Sequence, residues 1–165
     1  MNVLVIYDSV YGNTEQIARA IGDGLSDTAG ASGSVEVVKV ADVHPDRLRG
    51  ADLLLVGAPT SGSRPSPAMH EFLNRIPTNA LAGIKVAAFD TRTDMEKQTG
   101  VLRVFGKILD RFGYAAQRIS ASLEKQGGLV IKPPEGFFVK GTEGPLEDGE
   151  PERAVEWARQ IAASS

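Results

Sequence analysis

The feature that most constrains this chain is the alternation of short apolar runs with stretches of helical period. Val3, Leu4, Val5 and Ile6 form the first run, and Leu53, Leu54, Leu55 and Val56 form another. Continuous apolar runs of this length, bounded by turn residues, suit parallel strands buried on both faces. Strands are therefore expected over residues 2–7, 35–40, 52–57, 84–89 and 129–131, the last interrupted by Pro133 and Pro134 and resumed at residues 137–139. Helical spacing appears between them. Ile17, Ile21 and Leu25 share one face; Met69, Phe72, Leu73 and Ile76 share another, behind Ser66 as cap and Pro67 as first residue. Further helices are expected over residues 114–126 and from Pro151 onward, with Ala154, Trp157, Ala158 and Ile161 inward. Residues 95–113 carry a helical stripe weakened by Gly100 and Gly106. Strand and helix in alternation imply right-handed βαβ crossovers, so the chain reads as one α/β domain with a parallel sheet between helix layers.

Such sheets bind ligands beyond the carboxyl ends of their strands. The first strand runs into Asp8, Ser9, Val10, Tyr11, Gly12, Asn13 and Thr14, and a helix leaves at Thr14. That geometry aims backbone N–H groups and the positive end of a helix dipole at one point, which suits an anion and above all a phosphate. Ser9, Thr14 and Tyr11 add hydroxyl donors, and Gly12 permits a sharp turn. Asn13, with Gln16 three residues on, reads as a capping box. No Lys or Arg precedes Arg19, so a phosphate here relies on neutral donors. The loop has neither the spacing nor the Gly-Lys-Ser/Thr ending of a P-loop, and G-x-G-x-x-G is absent from it. Two more polar loops follow later strands: Pro59, Thr60, Ser61, Gly62 and Ser63, then Asp90, Thr91, Arg92 and Asp94.

The formal net charge of -3 argues against a general nucleic-acid or anionic-membrane binder. With no cysteine there are no disulfides and no thiolate chemistry. Neither a signal peptide nor a membrane span is evident, so the cytoplasm is the expected compartment. His44 and His70 read as surface residues and Trp157 as core. The acidic run Glu143, Glu147, Asp148, Glu150 and Glu152 reads as a solvated loop and helix start, with docking of a basic partner protein as the functional alternative.

The order of elements resembles the flavodoxins, and the resemblance spans the chain. Its most specific part is Ile6-Tyr7-Asp8-Ser9-Val10-Tyr11-Gly12-Asn13-Thr14-Glu15, similar to that family's phosphate loop. Gly57-Ala58-Pro59-Thr60 and Asp90-Thr91-Arg92 support it. The resemblance implies a flavodoxin-like three-layer sandwich over residues 1–165, with a five-stranded parallel sheet in the order 2-1-3-4-5. It implies flavin mononucleotide (FMN) as cofactor, held by residues of all three loops, and a redox role. Arg92 would raise the flavin potential if its guanidinium reached the N1/O2 edge of the ring. Residues 57–67 and 90–99 contain no Trp, Tyr or Phe to stack on that ring, a departure from many flavodoxins. Electron transfer to a redox partner protein is the leading expectation. A reductase using NAD(P)H and a quinone-like acceptor, and a flavin-free interaction module, are the alternatives.

Overall fold

The computed structural model describes residues 1–28, 30, 33–62, 64–97, 100, 101, 104 and 113–165. The strands are β1 (Asn2–Tyr7), β2 (Ser34–Lys39), β3 (Leu53–Pro59), β4 (Lys85–Thr93), β5 (Leu129–Val130) and β6 (Glu135–Val139). The described α-helices are α1 (Asn13–Ser26), α2 (Pro67–Arg75), α3 (Ala115–Lys125) and α4 (Glu150–Ala163). All strand pairs are parallel, in the order β2-β1-β3-β4-β5, with β6 also on β4. The fifth position is thus one interrupted strand. β5 pairs with Lys85 and Val86, and β6 pairs with the stretch from Phe89 to Thr93. The expected helical stripe within residues 95–113 falls largely outside the described residues.

The pleat divides each apolar run between two cores. Val3, Val5 and Tyr7 of β1, with Leu53 and Leu55 of β3 and Phe89 of β4, pack under α1 and α4. Leu4, Ile6, Leu54, Val56, Val86 and Ala88 face the other way, under α2 and α3. Alternate residues point to opposite faces, so an unbroken apolar sequence serves both helix layers. Trp157 lies in the first core, edge-on to Phe89 at 6.3 Å and to Phe137 at 6.0 Å. His44 and His70 are exposed.

The main revision to the sequence reading concerns β4. Asp90 to Thr93 are strand, not loop, with Ala58 and Pro59 opposite Asp90 and Thr91 on one side, and β6 on the other. Two flanking strands supply ladder partners that a local pattern of Asp and Thr does not reveal. The cap of α1 is also revised. Gly12, at φ 89, is its N-cap and has no side chain to make the capping bond, and Asn13 makes none. Ser66 does precede Pro67 at the N-cap of α2, but its buried hydroxyl makes no capping bond.

Candidate functional site

The carboxyl ends of β1, β3 and β4 enclose a cleft lined by Ser9, Val10, Tyr11, Asn13, Thr14, Pro59, Thr60, Thr91, Arg92, Thr93, Val139 and Thr142. A larger groove of about 570 Å³ lies between α2 and α3 but shares no residue with it. The cleft sits where an open parallel sheet binds ligands, at its topological switch point.

The first loop is organised by one hydroxyl. Ser9 Oγ accepts from the Gly12 N–H at 3.1 Å and from the Glu15 N–H at 3.3 Å. Its acceptor capacity is thereby occupied, and its own proton is free to donate into the cleft. Among the described residues, the N–H groups of Val10, Tyr11, Asn13 and Thr14 have no protein acceptor. Four unpaired donors, one oriented hydroxyl and the start of a 14-residue helix make a cradle for an anion. Gly12 closes the turn at a positive φ that residues with a Cβ rarely adopt. No carboxylate is among the described lining residues, so nothing there repels a phosphate dianion.

Asn13 does something other than cap. Its Nδ2 donates to the Glu143 carbonyl at 3.1 Å, tying the first loop to the segment after β6. Gly144 admits the amide closely, since a Cβ there would stand 2.5 Å from Asn13 Oδ1. That tie brings Thr142 into the cleft beside Val139. Sequence reading missed both residues, because no local signal places the segment after β6 beside the first loop.

The remaining expected site residues divide. Pro59 and Thr60 line the cleft, whereas Ser61 and Gly62 belong to a tight turn closed by Ser61 and Arg64. Ser63 lies outside the described residues. Thr91 lines the cleft, and its hydroxyl meets that of Thr14 at 2.7 Å. Asp90 does not line it. Its fully buried carboxylate accepts from the Ala116 N–H at 2.9 Å and from both Nε and Nη2 of Arg92, at 2.7 and 2.8 Å. Burial pushes this carboxyl above its ordinary range, against the pull of Arg92, the Ala116 N–H and Thr60. Asp94 is half-buried and not among the lining residues. Arg92 lines the cleft, but its guanidinium is committed to Asp90 and to the Tyr114 ring, 3.6 Å from its centroid.

The acidic run is only partly a solvated loop. Glu150 is buried, and it accepts from the Phe138 N–H at 2.7 Å and from Arg153 at 2.7 and 2.9 Å. No helix among the described residues is long and apolar enough to cross a membrane, and no group of His, Asp or Glu among them could hold a metal.

Comparison with known proteins agrees with this geometry. The sequence model of the flavodoxins matches residues 5–157. A flavodoxin from the domain Archaea is 24% identical and superposes with a TM-score of 0.74, over 99% of this chain and 97% of its own. Oxidised Flavodoxin 1 from Bacillus cereus is 18% identical, with a TM-score of 0.74 over 100% and 99% of the two chains. Rubredoxin oxygen:oxidoreductase from Desulfovibrio gigas is 19% identical, with a TM-score of 0.70 over 98% of this chain but only 35% of that one.

Proposed function

Because the chain belongs to the flavodoxin family, whose cofactor is FMN, we propose that it is an FMN-dependent electron carrier. The observation that carries this reading is the cradle of Ser9 and the α1 N-terminus, opening into a cleft that continues past Pro59 and Thr91. FMN supplies chemistry that no side chain here has, the uptake of one or two electrons.

The chain's own residues do the rest. The Val10, Tyr11, Asn13 and Thr14 N–H groups and the Ser9 hydroxyl hold the phosphate without a formal cation. A neutral cradle binds a dianion through many short dipoles rather than one charge. Pro59, Thr60, Thr91 and Thr93 line the rest of the cleft and would offer backbone and hydroxyl groups to the ribityl chain and ring. Thr142 closes the far side, held there by Asn13. Tyr11, 54% exposed, is the aromatic that the described cleft offers the flavin.

The acceptor is a redox partner protein or a small quinone-like molecule. Titration of the purified protein with FMN and with riboflavin tests the cofactor reading. FMN fluorescence should be quenched on binding, with riboflavin bound much more weakly; unchanged free-flavin fluorescence at high protein concentration would overturn it. Steady-state oxidation of NAD(P)H with a quinone acceptor then separates a turnover enzyme from a carrier.

A further inference from the structure

Arg92 leaves β4 on the α3 side of the sheet, and its guanidinium is walled in. Asp90 engages one edge of it, taking Nε at 2.7 Å and Nη2 at 2.8 Å. The Tyr114 ring covers one face, 3.6 Å from Cζ to the ring centroid. Gly136 of β6 completes the enclosure. A Cβ at that position would stand 2.3 to 2.6 Å from Nε, Cζ and Nη2, so only glycine leaves room for this arginine. The side chain is 12% exposed, yet Arg92 lines the cleft. Asp90 itself is held from behind by the Ala116 N–H.

This is an elaborate mounting for a cation that makes no surface ion pair. A guanidinium free in solvent would be mobile and screened, and would act on a neighbouring ligand only weakly. Held in a fork-to-fork pair, it becomes a directional donor whose net field is cancelled by its own carboxylate.

We propose that Asp90 is a positioning residue for the redox site. It fixes Arg92 at the end of β4 so that the Nη1 edge, unpaired among the described residues, serves as a charge-compensated hydrogen-bond donor to the anionic, fully reduced flavin. The assignment rests on the FMN reading above. Its consequence is a pair of opposite effects. Loss of the guanidinium leaves the reduced anion without a donor and beside an acid, which disfavours reduction. Loss of the Asp90 charge leaves the guanidinium uncompensated, which favours reduction. A purely structural role would weaken oxidised and reduced flavin alike and leave their ratio unmoved.

The test is the affinity for oxidised FMN and the midpoint potential at one pH, in wild type and in Arg92→Gln, Arg92→Lys, Asp90→Asn and Gly136→Ala. Arg92→Gln should lower the reduced-to-oxidised affinity ratio about tenfold, which is about 30 mV downward for a two-electron couple. Gly136→Ala, which expels the guanidinium, should follow it. Asp90→Asn should move the potential upward, and Arg92→Lys should fall between wild type and Arg92→Gln. The near-isosteric Asp90→Asn and Arg92→Lys keep the test valid if Arg92→Gln does not fold. FMN uptake with an unmoved potential, or shifts of the same sign in Asp90→Asn and Arg92→Gln, would overturn this assignment alone. Failure of the wild type to take up FMN would overturn the FMN reading and this assignment with it.

Discussion

The hydroxyls of Thr14 and Thr91 meet at 2.7 Å in the buried seam between the first turn of α1 and the end of β4. Thr14 is 1% exposed and Thr91 5%, so little of either side chain is open to water. This single bond joins two of the three loops that the sequence marks as polar. It sets the spacing between the first turn of α1 and the end of β4.

Removing one member of that pair should cost more than removing both. Thr14→Val or Thr91→Val alone leaves a buried hydroxyl unsatisfied, worth about 1–3 kcal/mol of unfolding free energy. The double variant, with matched apolar surfaces, should recover much of that loss. A double-mutant cycle by urea denaturation measures the coupling, and strictly additive losses would disprove it.

Ser9→Ala should act on phosphate binding specifically. It removes the acceptor of the Gly12 and Glu15 N–H groups and the one side-chain donor they orient. One hydrogen bond to a charged group is worth about 1.5–3 kcal/mol, so FMN affinity should fall at least tenfold. Riboflavin affinity should hardly change. Equal losses for the two ligands would place Ser9 elsewhere than at the phosphate.

Gly144→Ala should loosen the far wall of the cleft. The new methyl group would overlap the Asn13 amide and break its bond to the Glu143 carbonyl. Asn13→Ala removes the same tie without a clash. Both should weaken FMN binding through Thr142, and both should raise amide exchange in residues 140–146. Unaltered exchange in both variants would show that Asn13 is not what holds that segment.

Glu150 should contribute an acid-sensitive share of stability. Burial opposes its charge, but Arg153, the Phe138 N–H and Lys97 outweigh burial and hold the carboxyl below its ordinary value of 4.5. A carboxyl depressed on folding stabilises above its unfolded value and loses that contribution as pH falls through the folded one. Wild type should therefore exceed Glu150→Gln in stability at neutral pH. The gap should close as pH drops below about 4.5. A gap independent of pH from 7 to 3 would contradict this.

Gly57→Ala should destabilise the core without touching the cleft. Gly57 lies opposite Phe89 in the ladder, and a Cβ there would come within 2.2 Å of its ring. Phe89 is pinned in turn by Phe137 and Trp157, so it has little freedom to move aside. A loss of about 1–3 kcal/mol is expected from overpacking of this kind. Thermal denaturation checks it; an unchanged midpoint would mean that the ring has room to move.

What the sequence by itself determined is the architecture and the turn that leads from β1 into α1. Unbroken runs such as Val3 to Ile6 and Leu53 to Val56 report burial on both faces, and that alone demands a parallel sheet between helices. The loop from Ser9 to the start of α1 is equally local, because Ser9, Gly12 and the first turn of α1 lie within a few residues of one another. Tertiary structure decided the rest, for the reason that the partners are distant in the chain. Asp90 and Thr91 read as loop until β3 and β6 supply ladder partners on both sides. Asn13 reads as a cap until Glu143, 130 residues away, takes its amide. For Arg92 the sequence leaves open whether the guanidinium reaches a ring edge, and the fold encloses it between Asp90, Tyr114 and Gly136. Short-range pattern carries burial and turn chemistry, whereas the orientation of a charged group depends on whichever remote segment the fold brings against it.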